Sequence, residues 1–188
     1  MAKTSLKLLA VCLLLLLFTS CHVFNRWRGP CSIWPLPEPS ADGGTPVAQN
    51  FTSAEGRFRI GLPGAYVKAG DDKTVFDWYI LNVGSVHLQY FDYAQVVDTP
   101  EVSEGFLKQL RDFVASKRPS GQVEVDSAIT LSGHPGREIR IRDDSGTQID
   151  RLYLAGNRLY IASVFVSKRL DCKLGSAVKV LDTFEITE

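Results

Sequence analysis

Cysteine and histidine are the side chains best suited to covalent or metal chemistry, and the chain holds four of the first and three of the second. The histidines are His22, His87 and His134. No two have metal-ligand spacing and no Cys-x-x-Cys occurs, so a zinc hydrolase is set aside and no metal or other cofactor is expected. His87 falls on the polar face of a strand-like segment. His134 stands between Gly133 and Pro135-Gly136, which most simply build a turn. Nucleophilic catalysis has no Gly-x-Ser-x-Gly elbow to start from, and Ser, His and Asp occur without a signature that gathers them. The pairs Asp71-Asp72 and Asp143-Asp144 lie beside Gly or Ser and read as solvated turns, with a surface calcium site as the alternative. "GLPGAY" lacks the Lys-Ser/Thr ending of a phosphate loop. The expectation is that the chain is not an enzyme.

The cysteines say more. Lys3 and Lys7 make a positive start, and Leu8 to Phe18 form an apolar run of 11 residues. Spanning a bilayer takes about 20 apolar residues, so this run is short for a permanent span. Thr19, Ser20 and Cys21 follow it and resemble the bacterial lipobox, whose cysteine takes a diacylglycerol on sulfur before cleavage on its N-terminal side. Phe18 departs from that pattern, which usually has an aliphatic residue there. Residues 1–20 are therefore expected to be a signal peptide and Cys21 the lipid attachment point. Cleaved secretion and an uncleaved anchor are the other two readings. His22 follows the cysteine in place of the Asp associated with inner-membrane retention, which favours an outer-membrane destination if two membranes exist. Cys12 leaves with the signal and Cys21 is lipidated, so Cys31 and Cys172 remain. An exported location permits a disulfide between them. It would close a loop of about 140 residues, worth up to ~5 kcal/mol in the chain-entropy model; two free thiols are the alternative.

Residues 21–50 are rich in Pro, Gly and Ser and read as a lipidated tether. Pro35, Pro37 and Pro39 favour extended polyproline II, and the tether could reach about 90 Å if fully stretched. Arg26, Trp27 and Arg28 suit either a bilayer interface or a plain linker. Without its first 20 residues the chain has 19 basic and 21 acidic side chains, near −2, so nothing in its charge points to nucleic acid. Arg140, Arg142, Arg151 and Arg158 nevertheless gather, with Arg137, on the C-terminal strand-like segments. They form a candidate anionic docking patch for headgroups or a partner. A solvated outer face interleaved with Glu138, Asp143 and Asp150 is the competing reading.

These residues need a scaffold, and periodicity supplies one from Phe51 onward. "RFRIGLP" alternates Phe58, Ile60 and Leu62 with Arg57 and Arg59, the pattern of a half-buried strand. "VFDWYIL" and "VHLQYFDY" form a hairpin. Thr99, Pro100 and Glu101 open a helix in which Val102, Phe106, Leu110, Phe113 and Val114 make the apolar stripe. "QVEVDSAITL", "REIRIRD", "QIDRLYLA" and "RLYIASVFV" follow as strands, the last apolar on both faces and so expected to be central beneath a helix. Leu174, Ala177, Val178 and Leu181 give a second helix with Asp171 as its cap. The expected fold is α+β: an antiparallel sheet of about six to seven strands with two main helices packed on it, over residues 51–188.

The segments "EGRFRIGLPG" (55–64), "VHLQYFDY" (86–93), "SGHPGREIRI" (132–141), "RLYLAGNRLYIASVFV" (151–166) and "VLDTFEI" (180–186) resemble the PsbP/DcrB-like α+β sandwich superfamily, over about 135 residues. The shared features are strand edges, turns and the closing helix, so the resemblance implies a fold rather than an activity. Its members include an extrinsic photosystem subunit, envelope lipoproteins and a Ran-binding import factor, which imply docking to larger assemblies. The expected protein is a non-catalytic lipoprotein of the cell envelope, held to a membrane through Cys21 and docked to an unidentified envelope protein. The alternative is a carrier of a small lipid or soluble ligand in a pocket between sheet and helices.

Overall fold

The computed structural model describes residues 49–63, 66–69, 74–80, 84–93 and 99–187. The signal segment, Cys21, the tether to residue 48 with Cys31, and the Asp71-Asp72 pair lie outside them. In chain order the elements are β1 (Gln49–Ser53), β2 (Phe58–Leu62), β3 (Tyr66–Ala69), β4 (Val75–Ile80), β5 (Gly84–Asp92), α1 (Pro100–Ser116), β6 (Gln122–Leu131), β7 (His134–Arg142), β8 (Gly146–Ala155), β9 (Arg158–Ser167), a 3-10 turn (Lys168–Lys173), α2 (Leu174–Leu181) and β10 (Glu185–Ile186). They build two antiparallel sheets, a small one in the order β1-β2-β10 and a seven-stranded one in the order β3-β4-β5-β9-β8-β7-β6. The α+β expectation of an antiparallel sheet with two helices holds.

Its details shift. The alternating segment at Phe58–Leu62 joins the small sheet, and β3 takes a place in the large one. β9 is the middle strand of the seven, as its two apolar faces require. The hairpin of β4 and β5 pairs Val75 with Gln89 through to Ile80 with Gly84. Gly84 is needed there, because a Cβ would lie 2.2 Å from the Phe165 carbonyl oxygen. Between β6 and β7 the two-residue turn Ser132-Gly133 has φ of 51° and 83°, the positive values of a type I′ hairpin.

The first face of the large sheet buries most of the core. Phe58, Ile60 and Leu62 of β2 meet Phe76, Trp78 and Ile80 of β4, Val86, Leu88 and Tyr90 of β5, and Tyr160, Val164 and Val166 of β9. Ala177, Val180 and Leu181 of α2 and the following Phe184 close the layer. The rings interlock: Phe51 stands 5.1 Å from Trp78, Phe58 lies 5.3 Å from Phe76, and Phe184 stacks on Tyr153 at 5.8 Å. Each such side chain contributes about 1.5–3 kcal/mol by leaving water.

The second face holds a smaller cluster, in which Leu107 of α1 packs on Ile139, Ile141, Leu152, Leu154 and Leu159. The N-terminal cap is as expected: the Thr99 hydroxyl accepts from the Val102 N–H at 3.3 Å, and Pro100 and Glu101 occupy the first turn. The apolar stripe is corrected. Val102 and Phe113 are 56% and 58% exposed, whereas Ser103 and Leu107 are buried and Phe106, Leu110 and Val114 pack around them. The inward face runs through 103, 107, 110 and 114, the spacing of one helical side. Polar contacts add to this seam. Arg137 of β7 bonds to Asp126 of β6 and to Glu104 of α1 (3.0 Å), and Arg111 of α1 reaches Asp126 at 3.3 Å. The second helix also differs in its start. Lys173 occupies the cap position with no side-chain bond, and Asp171 accepts from Arg142 at 2.9 Å instead.

Candidate functional site

Three turns of chain meet at one end of the sandwich and leave a cleft of about 410 Å³, lined by Arg57, Asp92, His134, Arg158, Tyr160 and Ile186 among others. Arg158, at the first position of β9, sets its wall. It forks onto Asp92 with Nε and Nη2 at 2.5 and 2.7 Å, gives Nη1 to the Glu55 carbonyl at 2.8 Å, and lies 4.5 Å from the Tyr90 ring. The bond to Arg158 holds the Asp92 carboxyl below its ordinary range. The Tyr160 hydroxyl donates to the Gly56 carbonyl at 2.9 Å, and burial pushes its pKa up. These contacts grip the β1–β2 turn, where Arg57 adopts a left-handed φ of 52°. The Thr187 N–H reaches the Arg57 carbonyl at 2.8 Å and fixes that backbone from the C-terminal side. Among the described residues the Arg57 guanidinium makes no hydrogen bond or ion pair, though its charge acts on Asp92 and Tyr160. The cleft therefore holds one arginine bonded within the chain and one open to solvent.

The four arginines of the candidate docking patch share the first face of the sheet, as alternation requires, but each meets a carboxylate of its own chain. Arg142 bridges Glu124 and Asp171, Arg151 bridges Glu138 and Asp182, Arg158 holds Asp92, and Arg140 lies 3.7 Å from Glu138. Arg142 and Arg151 in effect clamp the ends of the C-terminal helical segment to the sheet. Of the four, Arg158 alone lines the cleft. His134 joins it there at the first position of β7. Asp143 caps its own turn, with the Ser145 hydroxyl as the main cause of its lowered pKa, and also accepts from Arg118 at 2.6 Å. Cys172 is disulfide-bonded; Cys31, its expected partner, lies outside the described residues.

A polar row across the second face has no counterpart in linear motifs. Register places Asp77, His87, Ser163 and Asp150 side by side on β4, β5, β9 and β8. His87 Nδ1 and Asp77 Oδ1 are 2.7 Å apart. The Ser163 hydroxyl donates to Asp150, which also accepts from Gln148 at 2.9 Å. No hydrogen bond joins the two pairs, so the row is not a proton relay from serine to histidine. Asp150, expected on a solvated outer face, is 2% exposed. Burial raises its pKa, against the bonds from Ser163 and Gln148 and the charges of Arg118 and His87. Among the described residues no group of three or more His, Cys, Asp or Glu is placed to hold a metal ion, and no helix is long and apolar enough to cross a membrane.

No family model and no curated protein matches the chain. Its fold is similar to the solved structure of cyanobacterial PsbP (CyanoP) from Synechocystis sp. PCC 6803, with a TM-score of 0.54 and 13% identity over 80% of this chain and 99% of that one. A Bacteroides thetaiotaomicron structure aligns with 75% of this chain and 49% of its own at 15% identity and a TM-score of 0.45. At such identity the first match speaks for architecture alone. Two antiparallel sheets with helices on them, aligned along nearly the whole of CyanoP, give this chain the PsbP-like α+β fold.

Proposed function

We propose that the chain is a lipid-anchored envelope protein, non-catalytic, whose PsbP-like domain docks to a protein assembly beside the membrane. The lipobox-like ending at Cys21 and the tether supply the anchoring half, with an outer membrane preferred where two exist. One observation carries the docking half. β6 is a ten-residue edge strand, hydrogen-bonded only to β7 among the described residues and exposed along most of its length. Such an edge accepts an extended segment of another protein by main-chain pairing. A bulge between Val123 and Val125, with Glu124 and Asp126 beside it, restrains indiscriminate pairing. Mild crosslinking of the membrane-bound chain, followed by mass spectrometry, tests this. A reproducible partner crosslinked at β6 is expected; a chain that captures nothing, or a partner held only elsewhere, defeats the docking assignment. The anchor is tested separately with a fatty-acid probe, since a Cys21→Ala chain that still carries label removes the lipobox.

A second reading, carriage of a small ligand, is favoured by the 410 Å³ cleft, a volume within the usual range of ligand sites. A small molecule that co-purifies with the chain and appears in its native mass spectrum supports carriage.

A further inference from the structure

We infer that the cleft binds a small monocarboxylate with a short aliphatic body, gripped by Arg57. This rests on the carrier reading and names its ligand class. Four observations lead to it. The Arg57 guanidinium is the cleft's unspent cation, since Arg158 already gives three of its nitrogens to Asp92 and the Glu55 carbonyl. A guanidinium fork matches the two oxygens of a carboxylate. The backbone that presents Arg57 is fixed in advance: its φ is 52°, its carbonyl is held by the Thr187 N–H, and the neighbouring Gly56 carbonyl is held by Tyr160. A residue kept in a sparsely populated conformation by surrounding bonds is a frequent mark of a ligand site. Finally, the cleft lining includes Ala155, Ile186 and Tyr160, which offer apolar surface beside the charged groups.

Charge selects the valence of the ligand. Arg57 and Arg158 against Asp92 leave a single positive charge from the three. A monoanion neutralises that charge, whereas a dianion would meet Asp92 with charge to spare. The apolar wall selects a ligand with an aliphatic part over a bare inorganic ion, because burying each methylene is worth about a fourfold gain in affinity. The site thus reads an anionic end and a greasy end together.

Titration of the full-length chain with hexanoate, followed by 1H–15N correlation spectra, tests the inference. Saturable shifts centred on Arg57, His134 and Asn157 are expected. Arg57→Gln should weaken hexanoate at least tenfold with little change in thermal midpoint, as its exposed side chain makes no hydrogen bond or ion pair among the described residues. Ala155→Leu, which keeps Arg57 and fills the wall, should weaken it as well. Hexylamine and inorganic phosphate serve as controls for the two ends of the ligand. Equal binding of hexylamine, phosphate as tight as hexanoate, or an Arg57→Gln chain that binds like the parent would each overturn the assignment. So would an absence of saturable shifts. A different molecule in the native mass spectrum would then keep the carrier reading and sink only the carboxylate.

Discussion

The two faces of the seven-stranded sheet are held by different physics. The first is sealed by a layer of interlocking aromatic rings and by β2, α2 and Phe184. The second is joined to α1 by six fully buried apolar side chains and a set of ion pairs, and it carries the polar row from Asp77 to Asp150. One face derives its strength from area removed from water. The other depends on matched partners, each costly to leave alone. The first face has ion pairs of its own, at Arg142, Arg151 and Arg158, so the contrast lies in its large aromatic layer, which the second face lacks.

Single substitutions can break that contrast. The largest loss is expected from Phe58→Ala, about 3–5 kcal/mol by urea unfolding, because its ring touches Phe51, Phe76 and Phe184. Leu107→Ala should cost less, about 2–3 kcal/mol, since the cluster around it is small; equal losses would erase the distinction between the faces. Arg137→Ala should cost about 2 kcal/mol, discounted from the value for a fully buried pair because Asp126 and Glu104 are partly exposed. Its pH dependence has a definite sign. Hydrogen bonding to Arg137 lowers the Asp126 pKa in the folded chain. That stabilisation is present above the unfolded carboxylate range and is lost as pH falls through the folded value. The difference between parent and Arg137→Ala should therefore shrink in acid.

Asp150 should behave in the opposite sense. Its folded pKa is raised, so its favourable contribution belongs to pH below the unfolded range and disappears as pH rises through the folded value. Asp150→Asn keeps an acceptor for Ser163 and should gain about 1 kcal/mol at neutral pH, with the gain vanishing in acid. A loss at neutral pH would show that the carboxylate is better matched by Ser163 and Gln148 than its burial implies. Val102→Ser, on the outer side of α1, should change stability by less than about 0.5 kcal/mol. A larger loss there would restore the apolar stripe expected from the sequence.

How much could be read from residues alone followed the strength of each local signal. β2 and β4 to β9 announce themselves by alternation, and Thr99-Pro100-Glu101 by capping chemistry. β1, with Phe51 its one large apolar residue, and the two-residue β10 have too little pattern to be seen. The face of α1 was ambiguous because Val102 and Phe113 are apolar without being covered. Asp150 illustrates a deeper limit: an acid on an alternating strand reads as solvent-facing, and only the packing of both sides of β8 buries it. The cleft is assembled from residues as distant as Arg57, Asp92, His134, Arg158 and Ile186, so no window of sequence contains it. Charge clustering draws attention to Arg158, whereas the alternation at 57–62 presents Arg57 only as the polar side of a strand. The arginine patch shows a related limit, since each of its four members lies beside a carboxylate, in most cases one distant along the chain. Sequence counts charges, but pairing depends on which carboxylate the fold brings near.

The two-residue strand β10 governs the order in which this molecule can form. Glu185 meets Arg59 across 126 positions of chain, and Phe184 just before it completes the aromatic layer. Closing so long a loop must precede any reward from the contacts it makes, which places the small sheet among the slow steps of folding. Chains are made from the N-terminus, so β2 with Phe58, Ile60 and Leu62 lacks the cover of α2 and Phe184 until more than a hundred further residues are made. During that interval the emerging chain carries an unfinished apolar surface, and Phe184 with β10 completes its cover.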